Sequence, residues 1–436
     1  MADITFDELL KELDYKQTYG IKHKEFNNIK IDSREIEKGD IFIALVGENH
    51  NAHKFIPEAF SNGAYLSIVQ QNVEYPHILV DNTFEALKKL AGYMLKKSNA
   101  KSIAVTGSTG KTTTKDLICS ILHLKKCHKT KSNENNFIGV SKTLLSIGEN
   151  EVCVVEAGTN HIGEMAEIAK FFKPDTAVFT NIGNSHLEHF ESRRNILKEK
   201  LSLLSKKTYP IYNYDDFLLR DALQGKGFSC SLINPQADMY IKNIKNSTVT
   251  LRYLNRDIEI IPPKDVNIYN TLLSVAAALV YDRNLTQDEI NEGLRSFKHQ
   301  ALRMQKEYLN DTEFILDCYN ANPDSVKYAI SELSKKPGKK LVILGDMLEL
   351  GKYAEPLHRK VGEFLSNFDM DLIAFGKNAY EIYDKVRNTK NEALFFEDKK
   401  ELVKELKNRF DSYDTVLIKG SRAMKMEEIF HLLKGE

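Results

Sequence analysis

The sequence predicts an α/β protein of three domains, with parallel sheets in the second and third. From residue 101, apolar strand-like runs (KSIAVT, EVCVVEAG, DTAVFTNIG, TYPIYN) alternate with helix-compatible segments such as GEMAEIAKFF. β-rich, turn-punctuated sequence at 228–262 interrupts this alternation, which restarts in the last third. Such alternation is typical of a parallel sheet covered by helices on both faces.

The N-terminal stretch, residues 1–97, has a different pattern. NIKIDSREIEKGDIFIALVG alternates apolar and polar residues like short strands with turns, and GAYLSIV follows the helical segment KFIPEAFSN. This pattern predicts a small α/β domain.

Residues 98–300 form the predicted central domain, a parallel sheet that an antiparallel extension at 228–262 and the helix NTLLSVAAALVY complete. Residues 301–436 contain further strand-like runs (EFILDCYN, KKLVILGDM, DLIAFG, EALFFE, DTVLIKG), each followed by a helix-compatible segment. The last third is therefore predicted to be a doubly wound, Rossmann-like domain.

Composition excludes some classes of partner. Lys plus Arg and Asp plus Glu both total 61, so no net charge attracts nucleic acid or anionic lipid. No run of 18 apolar residues occurs, and the start of the chain is acidic and amphipathic, which predicts a cytoplasmic protein without a membrane span. Five cysteines without a C-x-x-C pair predict reduced thiols, with neither a zinc site nor a disulfide framework.

The stretch SIAVTGSTGKTTTKD (102–116) predicts a phosphate-binding loop between a strand and a helix. Its backbone N–H groups and the helix N-terminus would face an anion, Lys111 would reach the terminal phosphates, and the Thr112 or Thr113 hydroxyl would hold Mg²⁺. Val105 stands where the full G-x-x-x-x-G-K-[ST] pattern has its first glycine. The alternative is a Gly-Ser turn before a solvated lysine. The loop residues are Gly107, Ser108, Thr109 and Gly110.

Two strand ends in the central domain carry candidate metal ligands. Glu156 ends VCVVEAG, and His186 follows the next strand in TNIGNSHLEHF. Ligands of parallel sheets collect at these ends, so the two side chains are candidates for a divalent cation beside the γ-phosphate. Lys200, in NILKEKLSLL, is one of several lysines on an amphipathic helix, and the pattern alone indicates a solvated face.

These motifs together resemble the Mur ligase family of peptidoglycan precursor synthesis. The loop TGSTGKTTTK is similar to the ATP loop of that family, which also lacks the first glycine, and SNENNFIGVSKTLL, EAGTNHIGEM and TNIGNSHLEHFES follow in the family's order. DCYNANPDS, LGDMLELG and LIKGSRAMKME resemble the branch that adds D-alanyl-D-alanine to UDP-N-acetylmuramoyl-tripeptide. The pattern expected of the branch that adds the third amino acid is missing from the sequence.

The resemblance implies a role for each matching position. It implies that Lys111, Thr112, Glu156, His186 and Lys200 serve ATP and two Mg²⁺ ions, with Lys200 carbamylated. Further nucleotide contacts are implied for Asn270, Arg303, Asp317 and Asn320. The segment KDVN before Asn270 departs from the family pattern, because Val266 stands where siblings carry a histidine. Contacts with the UDP-linked peptide or the dipeptide are implied for Ser33, Arg34, Asn135, Asn136 and Asp346.

The implied enzyme is a monomer that joins two small molecules through an acyl phosphate. Three alternatives stay open: a ligase like folylpolyglutamate synthetase, a nucleotide-dependent switch ATPase, and a sugar-nucleotide-binding regulator without catalysis. YNANPDS and the additional N-terminal domain argue against the first. In the third domain, YNANP alone would also suit a turn, and GDMLELG a capped helix.

Overall fold

A computed structural model describes residues 4–47, 50–132 and 134–435. Positions 48, 49 and 133 of the quoted motifs, and residues 1–3 of the amphipathic start, lie outside the described residues. The chain forms three large sheets, each from one continuous stretch of sequence, as the alternation predicts.

The first unit has a five-stranded sheet in the order β1-β7-β6-β3-β2, in which only the β1–β7 pair is antiparallel, and a two-stranded β4–β5 ribbon. Its strands are β1 (Tyr15–Tyr19), β2 (Ile29–Lys30), β3 (Ile41–Ile43), β4 (Val46–Gly47), β5 (His50–Asn51), β6 (Leu66–Val69) and β7 (His77–Val80). Its helices are α1 (Phe6–Glu12), α2 (Ile56–Ser61) and α3 (Thr83–Ser98).

The second unit has nine strands in the order β16-β15-β14-β13-β12-β11-β8-β10-β9. They are β8 (Lys101–Thr106), β9 (Cys127–Lys129), β10 (Val152–Glu156), β11 (Thr176–Phe179), β12 (Tyr209–Asn213), β13 (Phe228–Ser231), β14 (Met239–Lys245), β15 (Thr248–Tyr253) and β16 (Arg256–Ile260). β13 and β14 still pair in parallel, so the predicted antiparallel extension consists of the β14–β15–β16 meander.

The helices of the second unit cover both faces of this sheet. They are α4 (Lys111–Ile121), α5 (Phe137–Leu145), α6 (Glu164–Phe171), α7 (Leu187–Phe190), α8 (Arg193–Leu201), α9 (Phe217–Leu223), α10 (Ile268–Tyr281) and α11 (Gln287–Ser296). Because α10 is apolar nearly all round, it is buried, and it packs against α4, the helix after the phosphate loop.

The third unit has six strands in the order β17-β18-β22-β19-β20-β21, parallel except for the β17–β18 hairpin. They are β17 (Gln305–Leu309), β18 (Thr312–Asp317), β19 (Lys340–Gly345), β20 (Asp371–Phe375), β21 (Ala393–Phe396) and β22 (Thr415–Lys419). Its helices are α12 (Pro323–Ser334), α13 (Ala354–Leu365), α14 (Tyr380–Val386), α15 (Lys399–Lys407) and α16 (Glu427–Lys434).

The cores show how the units are joined. One cluster of buried apolar side chains runs from the first unit into the second, where α3 packs on α5 and α6. The third sheet has its own cluster on each face. The first two units therefore share a core, whereas the third has its own clusters and packs on the shared core through the partly buried Tyr353 and Leu357.

The prediction of reduced thiols is wrong for two cysteines. Cys119 on α4 and Cys127 at the start of β9 form a disulfide, because the fold brings their Cα atoms to 5.8 Å. Cys153, Cys230 and Cys318 are buried free thiols, as predicted. Among the described residues, no helix has the length and apolarity needed to cross a membrane.

Candidate active site

The phosphate loop has the strand–loop–helix geometry that the sequence predicts. β8 ends at Thr106 and α4 begins at Lys111, and no side chain caps the first turn of α4. Gly107 and Gly110 have φ of 149° and 80°, and a Cβ on them would lie 1.8 Å from Thr180 Oγ1 and 2.3 Å from Asn270 Oδ1. Only glycine fits both positions. The first-turn N–H groups of α4, which no side chain caps, remain available to an anion.

The end of β11 holds the loop in place. Asn181 Oδ1 accepts from Thr109 N at 3.1 Å, and Thr180 Oγ1 donates to Thr109 O at 2.6 Å. Ser108 Oγ accepts from Gly183 N at 2.9 Å. Neither Thr180 nor Asn181 stands out in the sequence, although both follow the end of a parallel strand, where ligand-binding residues collect.

Cations converge on this loop. Lys111 Nζ donates to Gly107 O at 3.0 Å, and Arg303 Nη2 from the third unit donates to Thr112 Oγ1 at 2.9 Å. Burial lowers the pKa of Lys111, the Arg303 charge lowers it further, and only Glu156 opposes this effect. Thr113 is half-buried on the first turn of α4. The loop thus has an excess of positive charge that a polyphosphate would balance.

Glu156 is a buried carboxylate with one free oxygen. It ends β10 and is 1% exposed. Its Oε1 accepts from Asn135 Nδ2 at 2.7 Å, whereas its buried Oε2 has no hydrogen-bond partner among the described residues. Burying an unpaired carboxylate oxygen is costly, and a hard cation is the partner that such an oxygen would take.

This arrangement fits a divalent cation held partly by a non-protein ligand. Within the described ranges, no group of three or more His, Cys, Asp or Glu side chains is placed to hold a metal ion. Glu156 Oε2 and the Thr112 hydroxyl offer oxygen donors, so phosphate oxygens would complete the ligand set.

Lys200 is buried, contrary to the solvated face that its helix pattern indicates. It is 3% exposed on α8, whereas Lys198, two residues earlier, is exposed. Burial, assisted by the Lys111 charge, lowers the pKa of Lys200 to about 7. Neighbouring Glu199 is engaged elsewhere, because it accepts from Gly163 N at 2.8 Å and Met165 N at 2.6 Å.

His186 lies at the junction of the second and third units. It precedes α7 with φ of 54°, and its Nδ1 is 2.6 Å from Glu349 Oε2 of the third unit. Arg303 also joins the two units, through its hydrogen bond to Thr112. Within the third unit its guanidinium stacks on Tyr319, 3.8 Å from the ring centroid, and its Nε is buried without a hydrogen-bond partner among the described residues.

Two predicted nucleotide residues, Asp317 and Asn320, are linked by a residue that the sequence analysis missed. The buried Lys419 Nζ lies 2.6 Å from Asp317 Oδ2 and 2.9 Å from Asn320 O. Lys419 ends β22, next to the end of β18 in the sheet. Its position at the end of the strand-like run in LIKGSRAMKME is the feature of the sequence that could have indicated a ligand-binding role. Asn270 lies directly against Gly110 of the phosphate loop.

The predicted substrate residues have mostly local contacts. Ser33 Oγ donates to Glu58 at 2.6 Å, and Arg34 pairs with Asp32 at 2.6 Å, which lowers the pKa of Asp32. Asn136 caps α5 through Gly139 N at 2.9 Å. Asp346, buried at the end of β19, accepts from Ala379 N at 2.8 Å, and burial raises its pKa. Asn135 alone of this group contacts a candidate metal ligand.

Fold and site together define a nucleoside-triphosphate-binding α/β protein with a second doubly wound unit reaching over the phosphate loop. Family models agree: residues 105–278 match the Mur ligase middle domain, and residues 302–422 match the Mur ligase glutamate ligase domain. The chain belongs to the Mur ligase family.

Two full-length relatives of this chain belong to the same branch of the family. The UDP-N-acetylmuramoyl-tripeptide–D-alanyl-D-alanine ligase of Bacillus subtilis is 33% identical, with 92% of each chain covered. Its Escherichia coli counterpart is 32% identical, with 93% of each covered. Crystal structure I of MurF from Acinetobacter baumannii superposes with a TM-score of 0.89 at 27% identity over 99% of both chains. MurF from Thermotoga maritima in complex with ADP gives 0.80 at 27% identity, covering 94% of this chain and 97% of that one.

Proposed function

We propose that this chain is an ATP-dependent ligase that joins D-alanyl-D-alanine to UDP-N-acetylmuramoyl-tripeptide through an amide bond. The observation that carries the proposal is the charge arrangement at the phosphate loop, where the buried Lys111 lies among Arg303, Lys200 and the carboxylate of Glu156. This arrangement suits a nucleoside triphosphate. The names of the full-length relatives and the ADP complex of a 27% identical structure support the choice of substrates.

The reaction requires activation of a carboxylate, because a carboxylate is a poor electrophile. The terminal carboxylate of the tripeptide attacks the γ-phosphorus, and ADP leaves as the acyl phosphate forms. The dipeptide amine then attacks the acyl carbon, and the tetrahedral intermediate collapses to amide and inorganic phosphate. Phosphoryl transfer depends mainly on positioning and charge neutralisation. The loop amides, Lys111 and Arg303 supply both, so no nucleophilic side chain is needed.

We propose that Mg²⁺ assists at Glu156 and Thr112, with a second ion near His186 and Lys200. When bound, these ions would neutralise charge on the transferred phosphoryl group. Asn135 holds one oxygen of Glu156 and leaves the other directed away from any described hydrogen-bond partner. The residues present therefore fit a cation without further rearrangement of this carboxylate.

Lys200 is proposed to be carbamylated, which would convert a cation into an anionic oxygen donor. Carbamylation needs the neutral amine, because its lone pair attacks carbon dioxide. With a pKa of about 7, about half of the Lys200 side chains are neutral at pH 7. Burial beside Lys111 supplies the reactive form, and the resulting negative charge would in turn be stabilised by Lys111.

The remaining assignments follow the family resemblance. The units are proposed to divide at residues 98 and 301 into UDP-substrate-binding, ATP-binding and nucleotide-plus-dipeptide-binding domains. Proposed nucleotide contacts are Gly107, Ser108, Thr109, Gly110, Thr113, Asn270, Asp317 and Asn320. Proposed substrate contacts are Ser33, Arg34, Asn135, Asn136 and Asp346. The chain is proposed to act as a monomer, and the need for ATP supports a cytoplasmic location.

The test is phosphate release from ATP and Mg²⁺ with UDP-N-acetylmuramoyl-tripeptide as the first acceptor. We expect release to require both tripeptide and D-alanyl-D-alanine, to disappear in Lys111→Ala, and to persist in Lys198→Ala. Release with free L-lysine or diaminopimelate on the dipeptide precursor would assign the enzyme to another branch. Release without any acceptor would favour a switch ATPase.

A further inference from the structure

We infer that Glu349 is a positioning residue for His186, and that it acts only while the third unit is docked on the second. The inference rests on the proposed function, because His186 is a proposed Mg²⁺ ligand. His186 Nδ1 lies 2.6 Å from Glu349 Oε2, a short imidazole–carboxylate contact in which the ring N–H is not aligned with the oxygen.

The Glu349 carboxylate meets a group of three histidines on the second unit. It contacts His186 directly, and the imidazoles of His189 and His161 lie nearby. The His161 and His189 rings lie 4.1 Å apart between centroids. The contact between the units is therefore formed at an imidazole cluster.

Both residues of the pair have a strained backbone. His186 has φ of 54° and Glu349 has φ of 61°, in the left-handed region that residues with a Cβ rarely adopt. Strained conformations persist where the surrounding structure enforces them, and they cluster at functional sites. Strain on both sides of one contact indicates that the fold maintains it.

Residues 349–353, the docking segment, attach Glu349 to α7. Glu188 N donates to Glu349 O at 3.2 Å, and Tyr353 Oη donates to Glu191 O at 2.9 Å. Between them, a Cβ added to Gly351 would lie 3.1 Å from Glu188 Cα, which shows how closely the backbones approach. The Glu349 side chain is thus brought to His186 by contacts between the two units.

The consequence concerns the second imidazole nitrogen. Metal-binding histidines commonly hold their other ring nitrogen against a carboxylate, which fixes the ring orientation and raises ligand basicity. With Nδ1 facing Glu349, Nε2 is the nitrogen left for a cation. Undocking the third unit would remove the carboxylate and release the ring, so docking completes the metal site.

The test measures Mn²⁺ affinity by electron paramagnetic resonance, with the non-hydrolysable ATP analogue AMP-PNP bound to the full chain and no acceptor. We expect Glu349→Gln to raise the apparent Kd for Mn²⁺ about tenfold. Glu363→Gln, a control on α13 whose carboxylate contacts Lys385 at 3.9 Å, should leave this Kd and the thermal midpoint unchanged. Tyr353→Phe should raise the Kd by a smaller factor.

A double variant separates positioning from a general loss of stability. If Glu349 acts through His186, His186→Ala combined with Glu349→Gln binds Mn²⁺ as weakly as His186→Ala alone. Wild-type Mn²⁺ affinity in Glu349→Gln, or further weakening in the double variant, would overturn the inference, and wild-type affinity in Tyr353→Phe would overturn the dependence on docking. Absence of acceptor-dependent phosphate release by the wild type would instead refute the proposed function.

Discussion

Replacing Lys200 by alanine tests the buried amine at the centre of the proposed mechanism. An ordinary lysine, with a pKa near 10.5, is neutral in roughly one molecule in 3,000 at pH 7. Lys200, with a pKa of about 7, is neutral in about half. The site therefore raises the concentration of the reactive amine by about three orders of magnitude, an effect that a solvated lysine would not show.

We expect Lys200→Ala to lower the rate of dipeptide-dependent phosphate release about 100-fold, the upper range for losing a group that supports a metal site. Added formate or acetate should restore part of the rate by supplying the missing carboxylate. Lys198→Ala is the matched control, because Lys198 is exposed on the same helix. For the wild type in carbon-dioxide-limited buffer, the neutral fraction falls from about 0.9 at pH 8 to about 0.1 at pH 6, and activity should fall with it.

Two results would count against the proposed role of Lys200. Full activity of Lys200→Ala without any additive would show that neither the amine nor its carbamate takes part. An equal loss in Lys198→Ala would indicate a disturbed helix rather than a lost functional group.

Two further substitutions test the third unit. Arg303→Lys removes a charge-assisted hydrogen bond worth about 1.5 kcal/mol and should raise the KM for ATP about tenfold in the same assay. Arg256→Lys, which alters an exposed arginine stacked on an aromatic ring, should leave KM unchanged, and equal effects of the two would contradict the assignment. Lys419→Met leaves the half-buried carboxylate of Asp317 without its buried partner and should lower the free energy of unfolding by about 1 to 3 kcal/mol in urea titrations. Lys339→Met, which removes an exposed lysine from its pair with Asp371, should cost less than about 1 kcal/mol, and a similarly small cost in Lys419→Met would refute the argument from the burial of Lys419.

Local patterns predicted the parts of the site that depend on local structure. The phosphate loop and Glu156 follow from strand, turn and helix signals within a few residues, and the parallel order of the strands brings them together. The burial of Lys200 was not predictable from its helix, because which face is covered depends on packing against distant elements. The family resemblance singled out this lysine, and its burial beside Lys111 is the physical basis of the proposed carbamylation.

Contacts between residues far apart in the sequence could also not be predicted from local sequence patterns. Asn135 meets Glu156 across 21 residues, and Lys419 meets Asp317 across 102. The disulfide between Cys119 and Cys127 depends on how β9 returns beside α4, which spacing alone does not fix. YNANPDS illustrates the overlap of structural and functional signals, since its Asn322 caps α12 through Ser325 N at 2.9 Å.

The division of the cores explains how three units can serve one reaction. A shared apolar core fixes the first unit against the second, so the proposed UDP-substrate and ATP sites keep a constant position relative to each other. The third unit reaches the loop region through polar contacts, such as Arg303 to Thr112 and Asn184 N to Asp324 Oδ2 at 3.0 Å. Hydrogen bonds exchange readily with water, so these contacts can open to admit substrates and close to exclude water from the acyl phosphate. Aligning the reactants in the closed form can lower the reaction barrier by about 7 to 11 kcal/mol. A rigid two-unit enzyme could not combine this alignment with open access for its substrates.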